Sequence, residues 1–267
     1  MHVSIGPHRA RIIEWSAGDP ARENVTAGGI ARGSTSRAVK LLCPGLVKIQ
    51  GILFDIDGTL VDSNDIHARV WVEAFQHFGK TIEFDAVRHH IGKGGDLLVP
   101  DLLNAKEMRR FGEKLKEYRG TLFKEKYMKT IKPFPLAGDY LRALHARGIR
   151  IVLSSSADPE EVEYYSGLLG VEDVLEGTTS KEDAEFSKPS PEIFQAGLER
   201  LKTDPARTLV VGDTPYDILA AHRAALPIAA VLSGGFERNL LQKAEFLFED
   251  VEELVRKIET VDDYFRD

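Results

Sequence analysis

The sequence predicts an α/β protein, a doubly wound parallel sheet with a helical segment inserted near its start. Three observations carry this. From Val47 onward, short continuous apolar runs alternate with longer amphipathic ones, and strands buried on both faces read as such runs, whereas half-exposed strands alternate in polarity. The amphipathic segments open on capping residues, and the one begun at Asp158 closes on Gly170. Between about Asn64 and Lys132 the alternation stops and only helical spacing remains.

Residues 1–46 carry Arg9, Arg11, Arg22, Arg32, Arg37 and Lys40 against Glu14, Asp19 and Glu23, in a stretch rich in Gly, Ser, Thr and Ala. With no sustained apolar period and no apolar secretory core, this segment is expected to be a disordered or non-domain extension. Its acidic residues count against a transit peptide. The first strand is expected at 49–54. In the helical segment, Trp71, Ala74, Phe75 and Phe78 keep helical spacing, as do Met108, Phe111, Leu115, Tyr118 and Leu122, and both stripes are expected to be core. Further strands are expected at 149–153, 208–211 and 228–232, with a weaker one at 173–176. Asp158 as cap, Pro159 in the first turn, Val162, Tyr165 and Leu169 on one face and Gly170 as terminator define one helix. Ser190 and Pro191 start another, with Phe194, Leu198 and Leu201 as its stripe. The expected division is thus an extension at 1–46, an α/β core at 47–63 and 133–267, and a helical subdomain at 64–132.

Among 267 residues, 43% hydrophobic and 29% charged, no apolar stretch approaches the ~20 residues of a membrane helix. The single cysteine, Cys43, forms neither an intrachain disulfide nor a thiolate metal site, which favours a reducing, cytoplasmic compartment. A formal charge of -7 argues against nucleic acid, whose phosphates are gripped by Lys and Arg. The expected partner is a small molecule; the sequence sets no oligomeric state.

The sharpest chemical feature is Asp55-Ile56-Asp57-Gly58-Thr59-Leu60, directly after an apolar run. The strand period points both carboxylates to one side, and Gly58 allows a sharp turn or close approach of a ligand. Alone, the hexad also fits an acidic turn or a calcium loop, although no further oxygen ligands follow at calcium-loop spacing. It resembles the first motif of the haloacid dehalogenase-like (HAD) superfamily, and the other motifs of that superfamily follow in order. Ile151-Val152-Leu153-Ser154-Ser155-Ser156 ends a strand in hydroxyls. Ser155 is the matching residue, Ser154 the alternate register, and the start of the next helix offers N–H groups to an anion. Lys188-Pro189 matches the third motif and Gly212-Asp213-Thr214-Pro215-Tyr216-Asp217 the fourth, although Thr214 to Asp217 also reads as a capping box. The resemblance spans roughly 47–259, and the helical insertion matches the subgroup that includes phosphoglycolate phosphatase-like and β-phosphoglucomutase-like enzymes. Ala225-Leu226 departs from the Ala-Gly common in relatives, at a helix end away from the chemistry.

The resemblance implies a Rossmann-like core under a helical cap, and phosphoryl transfer through an aspartyl-phosphate. Asp55 is the implied nucleophile and Asp57 the acid and base. Ser155 and Lys188 complete the catalytic set, and Gly58, Thr59 and Ser156 touch substrate. Asp55, the Asp57 carbonyl and Asp213 hold a metal ion with Asp217 in support, and all-oxygen ligation favours Mg2+. Negative charge from Asp55 and the phosphate is expected to raise the Asp57 pKa, opposing the metal's effect. The second Asp of the hexad argues against dehalogenation and phosphonate hydrolysis.

In the cap, His89-His90-Ile91-Gly92-Lys93-Gly94-Gly95 joins two helices, and in relatives the matching loop covers the site, so Lys93 is expected to read an anionic substrate tail. The two histidines lack metal-site spacing and the glycines follow no strand. From Ala105 to Lys129, nine Lys/Arg face four Glu, either a solvated helix face or a lure for phosphorylated substrates. The expected function is Mg2+-dependent hydrolysis of a small metabolite's phosphomonoester, phosphoglycolate- or sugar-phosphate-like. A phosphomutase is the alternative, and a catalytically inactive binding protein a third reading.

Overall fold

The computed structural model describes residues 48–265. The expected extension at 1–46, with Cys43, lies outside them. The strands are β1 (Gly51–Phe54), β2 (Val61–Asp62), β3 (Lys132–Pro133), β4 (Arg150–Ser154), β5 (Gly177–Thr179), β6 (Thr208–Gly212), β7 (Ile228–Val231) and β8 (Phe246–Phe248). Six form one sheet in the order β5-β4-β1-β6-β7-β8, parallel at every pairing. The fold is the doubly wound, Rossmann-like α/β class that the apolar runs predict.

The central strands show why continuous apolar runs are required. Ile52 and Phe54 pack on one face of the sheet with Ile151, Leu153, Leu209 and Val211, while Leu53 packs on the other with Val152 and Val210. Both faces are covered, and each fully buried side chain of this size contributes about 1.5–3 kcal/mol. β1 lies between β4 and β6, in register Phe54 to Leu153 and Phe54 to Val211. The chain leaves β1 towards β4 on one side and later returns to β6 on the other. That topological switch opens a crevice at the strands' carboxyl ends, where open α/β sheets bind ligands.

β1 begins later than expected. The Ile49 N–H leaves the ladder and donates to the Asp262 carboxylate at 2.8 Å. The weak strand at 173–176 is corrected: Glu172–Val174 is a tight 3-10 turn, and strand pairing follows at β5. Val174 and Leu175 still pack against the core, which is the apolar signal the sequence carried. β8 has only three residues, too few to show a period.

Between β2 and β3 lie helices including Asn64–His77, Phe84–Arg88, Gly95–Leu102 and Glu113–Leu122. Trp71, Ala74, Phe75, Phe111 and Leu115 bury into a cluster of their own, whereas Leu122 packs against the core of the sheet. β2 and β3 pair antiparallel, Val61 with Pro133 and Asp62 with Lys132, so the two linkers to the helical insertion are tied side by side. The helix Pro159–Leu169 ends on Gly170 at φ +63 as expected, but Asp158 does not cap it. Its carboxylate is drawn to Lys124, at 3.4 Å, and to Lys181. The next helix runs Glu192–Leu201, with Phe194 and Leu201 buried. Among the described residues no helix is long and apolar enough to cross a membrane.

Candidate active site

Asp55 extends β1 by one more bond, its N–H donating to the Val211 carbonyl at 2.8 Å. The chain then folds back on itself: the Leu60 N–H reaches the Ile56 carbonyl and the Gly58 N–H the Val61 carbonyl, each at 2.8 Å. Gly58 sits at φ +76, and a Cβ there would strike Asn64 and Asp213. Both strain and space therefore require glycine.

This turn gathers three buried carboxylates, those of Asp55, Asp213 and Asp217, with ligand oxygens within 4.8 Å of one another. The Thr59 hydroxyl lies 3.4 Å from both Asp55 and Asp213. Asn64 donates to Asp213 at 2.7 Å and to the Gly234 carbonyl at 3.0 Å. The cation among them is Lys188, 3% exposed, paired with Asp55 and, at 2.8 Å, with Asp217. Burial alone would pull the Lys188 pKa down, but Asp217 and Asp55 push it up, so the ammonium stays charged. Burial pushes Asp55 up to about 7, with Lys188 opposing. Asp213 is driven well above the usual carboxylate range, again by burial first, then by Asp217 and Asp55.

These shifts report burial first and neighbouring carboxylates second, and the cluster itself bears on whether the residues suit a metal ion. Three carboxylates against one ammonium leave an excess that a divalent cation would balance, and an all-oxygen donor set suits a hard cation. Asp217 is the least available of the three. Its Oδ2 accepts from the Thr214 N–H at 3.0 Å and the Thr214 hydroxyl at 2.6 Å, closing the capping box of the helix Pro215–Arg223, while Oδ1 holds Lys188. Both readings of 214–217 therefore coincide in one residue.

Asp57 faces the other way. Its Oδ1 accepts from the Ser63 hydroxyl at 2.5 Å and pairs with His67 Nε2 at 2.9 Å. His67 Nδ1 lies 2.5 Å from Arg119 Nη2. Because guanidinium only donates, Nδ1 accepts and Nε2 carries the proton toward Asp57. Arg119 lies over the rings of Trp71 and Phe123 at 5.2 and 5.0 Å. The protein surroundings alone do not raise the Asp57 pKa. Burial does push it up, but His67, Ser63 and Arg119 together hold it below the usual value.

Asp55, Asp57, Ser155, Ser156, Lys188 and Asp217 share one cavity of about 120 Å³ with Trp71, Arg119, Glu161 and the loop 91–95. Ser155 rather than Ser154 opens on this cavity. Its Oγ accepts from the Ala157 N–H at 3.1 Å, and the neighbouring Ser156 hydroxyl is buried without a partner. Gly58 and Thr59, expected to touch substrate, are not among the lining residues; they shape and brace the carboxylates from behind. Lys93 lines the rim, but its ammonium is taken by Asp101 at 2.5 Å and lies 4.9 Å from the Tyr216 ring.

A model of the haloacid dehalogenase-like hydrolase family matches residues 49–225. The chain belongs to that family. A protein of Oceanobacillus iheyensis named pyrophosphatase PpaX is similar, 26% identical over 211 residues that make up 78% of this chain and 96% of that protein. A Yersinia pestis protein named phosphoglycolate phosphatase is 31% identical over 191 residues, 70% of this chain and 82% of its own. The solved structure of a hydrolase from Pseudomonas syringae superposes with a TM-score of 0.72 at 23% identity, covering 79% of this chain and 99% of that one. The expected enzyme class, a HAD-like hydrolase with relatives named as phosphatases, is thereby established.

Sequence reasoning on this HAD-like chain missed His67, Arg119 and Glu161. His67 shares the spacing of the Trp71 stripe, Arg119 is one of nine cations in its segment, and Glu161 reads as a first-turn acid of its helix. Only their convergence on Asp57 and the cavity sets them apart.

Proposed function

We propose that this protein is a Mg2+-dependent phosphatase that hydrolyses the phosphomonoester of a small metabolite through an aspartyl-phosphate. One observation carries the reading: Asp55, paired with Lys188, and Asp57, held by His67, open on the same small cavity beside Ser155 and Ser156. The residues 64–132 act as its cap and 47–63 with 133–267 as its catalytic core. At about 120 Å³, the cavity is well below the roughly 300–1,000 Å³ of drug-sized sites, which favours a short substrate over a nucleotide.

Asp55 attacks phosphorus while the bond to the leaving oxygen breaks, and Lys188, Ser155 and Ser156 hold the phosphoryl oxygens. Asp55 and Asp213, with the carbonyl of Asp57, would hold the metal ion, which, when bound, offsets the repulsion between carboxylate and phosphate. Asp57 gives a proton to the leaving alkoxide, then takes one from the water that cleaves the acyl-phosphate and restores Asp55. Its low resting pKa is shifted upward by the charge of an arriving phosphate dianion. A cytoplasmic setting rests on the single cysteine.

A phosphate-release screen with magnesium over glycolate, polyol and sugar phosphates tests this. Asp55→Asn should retain less than about a hundredth of the activity, and label from a phosphorylated substrate should be trapped on Asp55 of the native enzyme. Isomerised product without phosphate release would make the protein a mutase, and binding without turnover would make it inactive.

A further inference from the structure

We infer that Glu161 is a specificity-determining residue, which with Arg119 seats a neutral, hydroxyl-bearing leaving group and excludes one that carries a second anionic group. The inference rests on the phosphatase reading and narrows its substrate class. Glu161 projects from the helix Pro159–Leu169, is 2% exposed and lines the cavity. Among the described residues its carboxylate has no hydrogen bond or ion pair, although Arg119 is its largest favourable charge. Burial pushes its carboxyl above the usual range, with Arg119 opposing. Arg119 also lines the cavity; one Nη is engaged by His67, and Nε, though without a partner, is sealed inside the protein.

One wall thus sets a carboxylate and a guanidinium beside the cavity with no ion pair between them. This wall is also where the leaving group must lie, because Asp57 protonates the departing oxygen and His67 joins Asp57 to Arg119. A hydroxyl donates one hydrogen bond and accepts two, so one or two vicinal hydroxyls would answer both Glu161 and Arg119. A carboxylate or second phosphate only accepts. It would reach Arg119 but meet Glu161 as a like charge, in surroundings where water screens poorly. A short polyol phosphate fits; pyrophosphate and phosphoglycolate do not.

The test compares kcat/KM for glycerol 1-phosphate, erythritol 4-phosphate, phosphoglycolate and pyrophosphate. Each is referenced to phenyl phosphate within the same variant, so that partial misfolding cancels. The native enzyme should prefer the polyol phosphates by about tenfold or more. Glu161→Gln should shrink that preference by about tenfold, chiefly through a lower KM for the anionic substrates, while Glu161→Asp, which keeps the charge, should keep the order. A native preference for pyrophosphate or phosphoglycolate overturns the inference while leaving the phosphatase reading intact, as does a Gln variant whose preference moves by less than about twofold. Absence of phosphate release from every compound, phenyl phosphate included, overturns the phosphatase reading and the inference with it.

Discussion

At the Asp55 end of the cavity each charged group meets a partner: Lys188 lies between Asp55 and Asp217, and Asp213 accepts from Asn64. At the Arg119 end, Arg119 Nε has no hydrogen-bond partner, Glu161 forms no ion pair with the guanidinium, and His67 bridges to Asp57. The first end pairs its ammonium but keeps an excess of carboxylate that a divalent cation would balance, a fixed arrangement suited to the phosphoryl group common to every substrate. The second is incompletely satisfied and gains its partners from whatever the phosphoryl group carries. Chemistry and selection are thereby separated within a few ångströms, and variants at the two ends should fail differently.

Lys188→Met gives the largest expected effect. It leaves Asp55 and Asp217 buried without their cation, so unfolding free energy should fall by about 3–5 kcal/mol, read by urea titration. Turnover should fall more than about a hundredfold, and by the same factor for alkyl and aryl phosphates. A loss that depended on the leaving group would erase the distinction between the ends. His67→Ala sharpens the same distinction from the other side. With Asp57 deprived of its partner, alkyl phosphates should lose about a hundredfold, whereas aryl phosphates, whose oxygen departs with little protonation, should lose far less. Equal losses would move His67 to the common chemistry.

The acidic cluster predicts a pH effect in the chelated protein. Asp55 has a folded-state pKa raised from 3.8 to about 7, by burial first and with Lys188 opposing. The folded state therefore keeps a proton that the unfolded chain has lost, and this group's contribution to stability falls as pH rises from about 4 to about 7. Urea titrations with chelator present should find native protein losing ground to Asp55→Asn across that window, with added magnesium reversing the trend. A constant gap between the two proteins would contradict the crowding of charge. Lys93→Ala should do least. Its pair with Asp101 sits at the rim, with the Asp101 side chain 45% exposed, and rim pairs contribute about 0–1 kcal/mol. KM for each substrate should change by less than about threefold; a larger rise confined to anionic substrates would restore Lys93 as their reader.

The Asp55 end was legible in the sequence because its parts are local. Each of Asp55, Ser155 and Asp213 follows an apolar run, and a run that ends in a polar residue marks a strand's carboxyl end whatever the rest of the chain does. The helical stripe at Trp71 was legible for the same reason, since period is a property of neighbours along the chain. Strand β8 and the turn at Glu172–Val174 escaped, being too short for a period to register.

The sequence by itself determined the sheet, the insertion and the set of residues at the strand ends, because backbone hydrogen bonding and side-chain periodicity are written within a few residues. Only the tertiary structure decided the Arg119 end. His67, Arg119 and Glu161 come from three helices, two in the insertion and one in the core, and converge only because the insertion packs over the carboxyl ends of β1 and β4. The same packing set two environments that spacing along the chain does not show. Asp57 is held down by His67, Ser63 and Arg119 against the upward push of burial; and the Lys93 ammonium is taken by Asp101, eight residues on, beside the ring of Tyr216 from the core. Charges act through space at distances of a few ångströms, and which charges come that close is fixed by packing rather than by order along the chain.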